Sequence, residues 1–278
     1  MKKLIPVFSL VFFSVLYMFP TAAQSLRYSI SMPYLSLGAY TTKQQDPFSF
    51  TGNQAALAQV RSVGVGVYGE RRFLIDNNNV YGLAAVIPSK LGNFGVQVNY
   101  SGFQNFNEQK AGVAYARSLG SKLDIGIQFN YYGYRVPAYA NASAVNFEGG
   151  AIVHFTDKLN AGIHIYNPVG GKLGKTGDEK LASAYKMGLG YDASENFYLS
   201  GEIIKEEDQL VNVTGGVQYR FKKQFFARAG FRGDNNTGYG GIGFLYRKLR
   251  IDIAASYHPQ LGVSPGILLI YHFKDTEK

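Results

Sequence analysis

Four histidines are the side chains of this sequence best suited to acid–base catalysis or metal binding: His154, His164, His258 and His272. His154 and His164 occupy polar positions of two consecutive predicted strands. A zinc site needs three or four converging ligands, and the sequence identifies no further ligand near His154 and His164. We therefore interpret both as interior histidines that are hydrogen-bonded to their neighbours, and we predict no metal site.

Nucleophilic chemistry has little support in the sequence. The 278 residues contain no cysteine, which excludes thiolate nucleophiles as well as zinc–thiolate and iron–sulfur sites. No catalytic serine or carboxylate pair stands out from the strand pattern that surrounds it. The sequence therefore predicts a protein that is not an enzyme and that uses no cofactor.

Charged residues recur at alternate positions of the predicted strands, interspersed with glycines, and therefore share one face of the sheet. Glu70 and Arg72 belong to the densest charge cluster near the first strand. Scattered charge and glycine are typical of a wet or loosely filled barrel interior. Seven of these side chains are predicted to contact a ligand or a plug in the lumen: Glu70, Arg72, Glu148, Glu202, Arg220, Arg228 and Arg250.

The strand pattern that positions these residues is clearest over residues 123–131. Its odd positions, from Leu123 to Tyr131, are large and apolar, whereas its even positions are Asp, Gly, Gln and Asn. Successive side chains of a strand point to opposite faces. One apolar face nearly free of charge and one polar face are typical of a transmembrane barrel. The sequence thus predicts an all-β fold, an antiparallel up-and-down barrel over residues 62–273.

Turn-forming residues divide this region into about fourteen strands, with twelve strands as an alternative. The first strand is predicted over 62–74 and the last over 264–273. Short connectors alternate with longer ones, as periplasmic turns alternate with outer loops in outer-membrane barrels. We therefore predict that Asn167–Leu181, which is rich in glycine and lysine, is an outer loop.

The chain begins with the pattern of an export signal. Two lysines precede an almost wholly apolar stretch over 4–19, and small residues follow before Gln24. This order predicts a signal peptide over 1–23, cleaved after Ala23, and a location in the outer membrane. Residues 274–278 form a short C-terminal tail. The formal charge of +9 is not gathered in a basic block, so outer-membrane lipid rather than nucleic acid is the expected partner.

Residues 24–61 lack the strand alternation, and they include apolar residues such as Phe48 and Phe50 that need burial. A barrel about fourteen strands wide has an open lumen unless something fills it. We favour a lumen plug for this segment, and a periplasmic segment is the alternative. Lumen-facing arginines are predicted to bind the plug carbonyls and Asp46: Arg220, Arg228 and Arg250.

The end of this segment resembles an N-terminal element of the FadL/TodX outer-membrane transport family and its Bacteroidota relatives PorV and PorQ of the type IX secretion system. The family pattern is Asn-Pro-Ala-Gly-Leu-Ala just before the first strand. The matching residues here are Asn53, Gln54, Ala55, Ala56, Leu57 and Ala58. Gln54 and Ala56 depart from the family's proline and glycine.

The resemblance implies a fourteen-stranded barrel with an N-terminal hatch. The family's transporters of hydrophobic substrates carry long helical outer loops. In this chain, no predicted outer loop is longer than about 15 residues. The resemblance therefore implies an interaction barrel of the PorV/PorQ type, with other envelope or secretion-system proteins as partners. The alternative is a transporter or channel for small hydrophobic or anionic solutes.

Overall fold

The computed structural model describes residues 37–103, 106–136, 140–170, 172–173, 179–222, 224–233 and 236–273. The predicted signal peptide, the first part of the N-terminal segment and the C-terminal tail lie outside these residues. Part of the predicted outer loop, residues 171 and 174–178, also lies outside them.

Fourteen antiparallel strands form one closed barrel, as the sequence predicts. Each strand pairs with its neighbours in the chain, and β1 closes the barrel against β16, with Gly64 opposite His272. The first seven strands are β1 (Gly64–Arg71), β2 (Asn79–Ile87), β3 (Asn93–Phe103), β4 (Phe106–Leu119), β5 (Leu123–Val136), β6 (Ala140–His154) and β7 (Leu159–Tyr166). A two-stranded hairpin, β8 (Lys172–Leu173) and β9 (Glu179–Lys180), lies outside the barrel sheet. The remaining barrel strands are β10 (Ala184–Asp192), β11 (Phe197–Glu206), β12 (Asn212–Phe221), β13 (Phe225–Arg232), β14 (Thr237–Tyr246), β15 (Leu249–His258) and β16 (Gly262–His272).

The two faces of the barrel wall follow the alternation in the sequence. Along β10, Tyr185, Met187 and Leu189 are exposed on the outside, whereas the residues between them are buried. Outward positions carry large apolar side chains because they meet hydrocarbon, and inward positions carry small or polar ones because they meet the lumen. Among the described residues, no helix is long and apolar enough to cross a membrane.

The first strand is shorter than predicted. The sequence predicts strand over 62–74, but β1 ends at Arg71 and a 3₁₀ turn occupies Arg72–Leu74. Phe73 and Leu74 both have φ of +55°, a backbone conformation that a strand cannot contain. The chain begins to turn toward β2 at this point, and the backbone N–H of Arg72 donates to the carbonyl of Asn78 at 2.8 Å.

The connectors separate into two sets at the two ends of the barrel. One end, here called the short-turn end, holds the start of β1, the finish of β16 and the turns β2–β3, β4–β5, β6–β7, β10–β11, β12–β13 and β14–β15. The connection between β7 and β10, which contains the β8–β9 hairpin, lies at the opposite end. By the usual arrangement of outer-membrane barrels, the short-turn end faces the periplasm.

This orientation predicts a simple labelling result, because the chain has no cysteine of its own. A cysteine replacing Gln209, exposed between β11 and β12, should react with a membrane-impermeant maleimide on intact cells. A cysteine replacing Lys90, exposed in the β2–β3 turn, should react only after the outer membrane is opened. The reverse labelling pattern would invert the topology.

Candidate functional site in the barrel lumen

Residues 37–61, here called the lumen segment, lie inside the barrel. They form three short 3₁₀ turns, Gly38–Tyr40, Ser49–Thr51 and Gln54–Gln59. Phe48, Phe50 and Leu57 are 0 % exposed. Burying two phenylalanines contributes about 3–6 kcal/mol, which favours docking of the segment over its exposure to water. The lumen segment therefore packs its apolar side chains against inward-facing apolar residues of the wall, such as Val86 and Ile270, to form a shared core.

Inward-facing glycines give the lumen segment room to approach the wall. A Cβ atom added at Gly66 would lie 2.5 Å from the Phe48 ring. Side chains at Gly150 and Gly188 would overlap Asn53 and Tyr40 in the same way. Gly126, Gly162 and Gly190 contact the segment similarly, whereas Gly112, Gly241 and Gly243 face wall side chains. Close approach of another chain segment, rather than curvature alone, explains the first group.

The family-like motif is the most buried part of the lumen segment. Asn53 accepts a hydrogen bond from the backbone N–H of Ala55 at 3.0 Å and donates from Nδ2 to the Ile163 carbonyl of β7 at 2.9 Å. Ala55 and Ala56 are fully buried, so small side chains are required there. The Gln54 side-chain amide is 0 % exposed, and neither of its polar atoms has a hydrogen-bond partner among the described residues.

The wall binds the end of the motif through β3. Asn93 points its Nδ2 at three carbonyls of the lumen segment, those of Leu57 at 2.7 Å, Ala58 at 3.2 Å and Val60 at 2.8 Å. The Leu57 carbonyl also accepts from the backbone N–H of Val60 at 3.1 Å. Carbonyls at the end of a 3₁₀ turn are costly to bury without partners, and the Asn93 amide contributes hydrogen bonds to all three.

The opposite side of the lumen segment is bound by β10 and β11. Asp192 accepts hydrogen bonds from the hydroxyl of Thr41 and from the backbone N–H of Thr42, the latter at 3.0 Å. Tyr40 donates its hydroxyl proton to Glu202 at 2.9 Å. Nearer the short-turn end, the Glu195 carboxylate lies 2.9 Å from Lys43 and raises the pKa of that lysine. Glu202 is thus a segment contact, as the sequence analysis expects for a residue of this face.

An arginine–aspartate cluster binds the middle of the lumen segment. Arg250 lies 3.3 Å from Asp46 and 2.7 Å from Asp252, and Arg228 lies 2.9 Å from Asp252. All four side chains are buried. Arg228 also contacts Gln218, which in turn donates to Gln44 of the lumen segment. Mutual neutralisation and hydrogen bonding make these buried charges tolerable.

A second buried cluster lies on β4–β7. Glu148 accepts from the Lys110 ammonium group at 2.8 Å, and His164 Nε2 lies 3.0 Å from its other oxygen. Gln128 and Asn130 each donate to Glu148 at 2.9 Å. The sequence analysis singles out Glu148 but overlooks Lys110, although both share the inward parity that would have marked them.

Other predicted site residues lie elsewhere. Arg72 lies in the turn after β1, 3.9 Å from Glu70, which accepts a hydrogen bond from Tyr68. The prediction that Arg220 contacts the plug is wrong. Its guanidinium donates to the Glu195 carbonyl at 2.6 Å and to the Asn196 side chain at 3.3 Å, because its position near the end of β12 brings it to the neighbouring turn.

Candidate catalytic groups have structural partners. His154 lies 2.7 Å from both Asp124 and Asn160, as an interior histidine would. Within the described ranges, no three His, Asp or Glu side chains come together as a possible metal site. Residues 262–266 do match the Gly-x-Ser-x-Gly pattern, which the sequence analysis overlooks. Ser264 lies within β16 and accepts a hydrogen bond from Phe73, so it lacks the strand–turn–helix setting of that nucleophile.

The chain forms a closed fourteen-stranded barrel whose fold is similar to those of solved outer-membrane barrels, FadL homologues among them. The chain is similar to the toluene transporter TodX of P. putida, with 10% identity and a TM-score of 0.63, over 83% of this chain and 95% of that chain. It is also similar to a Pseudomonas aeruginosa FadL homologue, with 12% identity and a TM-score of 0.56, over 86% and 98%.

A third similar structure is the Acinetobacter baumannii outer membrane protein Omp33, with 12% identity and a TM-score of 0.51, over 76% of this chain and 98% of that chain. No protein-family model matches the sequence, and no curated protein matches it. The similarity is therefore one of fold. It gives no specific support to the PorV/PorQ branch that the sequence resemblance favours.

The arginine–aspartate cluster should contribute strongly to stability. Arg250→Met leaves Asp46 and Asp252 buried without this partner, and we expect a loss of about 3–5 kcal/mol in the free energy of unfolding. The matched control is Arg220→Gln, at a side chain bound only to a turn, which should cost about 1 kcal/mol or less. Urea unfolding in lipid vesicles measures both. Equal costs would mean that the cluster adds no net stability.

The inward glycines should be required for docking of the lumen segment. Gly150→Val places its side chain on Asn53, so the segment must shift, and cleavage after Lys43, whose side chain is already exposed, should become faster. Gly238→Val is the control, since a Cβ there meets nothing within 4 Å. Limited trypsin digestion of the folded protein compares the two. Unchanged protection in Gly150→Val would contradict the close-approach explanation.

Proposed function

We propose that this protein is a non-enzymatic channel of the outer membrane, closed by its lumen segment, that passes small solutes when the segment moves. The observation that carries the proposal is the position of residues 37–61, which contact strands on all sides of the lumen. The segment therefore lies across the lumen that the described strands enclose.

The girth of the barrel supports a channel. A barrel of about eight strands fills its own interior with side chains. A protein that acts only through its outer surface therefore needs no wider barrel. Fourteen strands enclose a lumen that must be filled by something else, here the lumen segment. A wide barrel with a separate closing element suits a pathway that opens.

The contacts of the lumen segment suit reversible closure. Most of its named anchors are hydrogen bonds, such as those that Asn93 donates to backbone carbonyls and those that Asp192 accepts from Thr41 and Thr42. Water replaces a neutral hydrogen bond at a net cost of about 0.5–1.5 kcal/mol. Gln54 opposes docking, because its buried amide regains hydrogen bonds when it meets water. Displacement therefore costs less than the extent of burial suggests.

Charge pairing in the lumen favours neutral, hydrophobic solutes over anionic ones. Three lumen cations lie within ion-pair distance of a carboxylate: Lys110 with Glu148, and Arg228 and Arg250 with Asp252. An anionic solute meets little surplus positive charge there. A solute as small and apolar as the toluene carried by the similar transporter fits this balance better.

The similar structures named above include a toluene transporter, and they support a channel better than a secretion-associated role. The channel is therefore the preferred proposal. It includes location in the outer membrane and removal of residues 1–23 on export, and it needs no cofactor or protein partner.

Planar-bilayer recording tests the proposal. The intact protein should be nearly silent, because its lumen is closed, and removal of residues 24–61 should produce steady conductance. A cysteine pair at Pro47 and Gly64 provides a lock, since a Cβ at Gly64 would lie 3.0 Å from Pro47 Cγ. Oxidation should abolish uptake of toluene into vesicles, and reduction should restore it.

Each single-cysteine variant is the control for the lock. Steady conductance by the intact protein would indicate an open porin and would contradict a gated channel. Uptake that is unaffected by the oxidised lock would show that solute passes without movement of the lumen segment.

A further inference from the structure

The outer face of the barrel contains a cavity near the short-turn end of β12–β15. Its volume is about 600 Å³, and its lining is almost wholly apolar. The side chains of Phe225, Phe244, Ile251 and Ile253 surround it, and Lys222 borders it. The lumen segment and the lumen clusters lie on the other side of the wall, so the cavity is separate from the proposed channel.

Small outward residues create the cavity and extend it along the wall. Ala227 follows the larger Phe225 by two residues on β13, and it is paired with Ile242 of β14. One outward position further from the short-turn end, Ala229 pairs with Gly240, and Gly240 pairs with Ala255. These positions continue the cavity as a shallow groove toward the middle of the wall.

Lys222 borders the end of the cavity, and further basic residues lie in the neighbouring short turn between β14 and β15. Lys222 and Arg247 are exposed in the two short turns, and Lys248 follows Arg247. The Arg247 guanidinium lies 5.4 Å from the ring centre of the outward-facing Tyr246, so it extends along the outer face. Among the described residues from 212 to 258, the only carboxylate is that of Asp252, which is buried in the lumen and paired with Arg228. The border of the cavity is therefore cationic.

The cavity and its groove extend through most of one leaflet of a membrane. Four residues of strand separate Phe225 from Ala229, which corresponds to about 13 Å of rise along the strand. A strand tilted by about 40° advances about 10 Å along the membrane normal over that distance. Half of a hydrocarbon core about 30 Å thick is about 15 Å, so an acyl chain that begins at the basic border lies in the groove over about two thirds of its leaflet.

We propose that this cavity binds one anionic glycerophospholipid of the periplasmic leaflet. Its phosphate lies at Lys222 and Arg247, and an acyl chain fills the cavity beside Ala227. Most of the barrel surface is covered by exchanging lipid. A cavity walled by aromatic side chains, together with two cations at the phosphate level, retains a single molecule instead.

Native mass spectrometry of the full-length protein tests this assignment. The protein is taken from nanodiscs of equal phosphatidylglycerol and phosphatidylcholine and delipidated stepwise in detergent. One phosphatidylglycerol should remain per barrel, in at least about tenfold excess over phosphatidylcholine. Lys222→Gln with Arg247→Gln should reduce its retention by about 30-fold, since each basic residue near an anionic surface contributes about fivefold in affinity.

Matched controls separate the cavity from general lipid binding. Lys122→Gln with Lys158→Gln removes two exposed charges from other turns of the same end and should leave retention unchanged. Ala227→Leu fills the cavity and should abolish retention, whereas Ala151→Leu on the outer face of β6 should not. An unchanged heat-dependent gel shift verifies that each variant is folded.

Three outcomes would overturn the proposal. Equal retention of both phospholipids would remove the role of the cations. Full retention of phosphatidylglycerol by the variant with Lys222→Gln and Arg247→Gln would show that the lipid binds elsewhere. Preferential retention of lipopolysaccharide, when it is offered beside phosphatidylglycerol, would assign the cavity to the other leaflet.

Discussion

The width of the lumen is the constraint on which the rest of this structure depends. Fourteen strands enclose more space than side chains of the wall fill, and an empty polar lumen would leave Phe48 and Phe50 without a place of burial. The lumen segment resolves both problems by entering the barrel. Inward glycines such as Gly66 and Gly188 are then required, because backbone and rings of the segment lie where a Cβ atom would be.

The same constraint accounts for the polarity of the inner wall. A segment without regular secondary structure has many backbone groups that need hydrogen-bond partners. Asn93 and Asp192 of the wall bind such groups, and Asn53 of the segment donates to the wall carbonyl of Ile163. Charges that face the lumen are paired with each other, as Lys110 and Glu148 are. An apolar inner wall would bury the phenylalanines equally well but would leave these backbone groups unsatisfied.

Strands β12–β15 show how one stretch of sequence serves two surfaces. Inward positions place Arg228, Arg250 and Asp252 against the lumen segment, while the outward positions between them form the apolar cavity. Because side chains alternate, a substitution on one face leaves the other face in register. The proposed closure of the lumen and the proposed binding of lipid therefore depend on different faces of the same wall.

The sequence by itself indicated about fourteen barrel strands, with twelve left open, and determined their alternation and the inward parity of Glu148, Glu202 and Arg250, because these follow from a two-residue period and local turn chemistry. Tertiary structure decided the rest. It paired Lys110 with Glu148 and Arg250 with Asp46, residues far apart in the chain, and it directed Arg220 to a turn. Parity assigns a side chain to a face, but only the closed barrel and the path of the lumen segment fix which residues on that face meet.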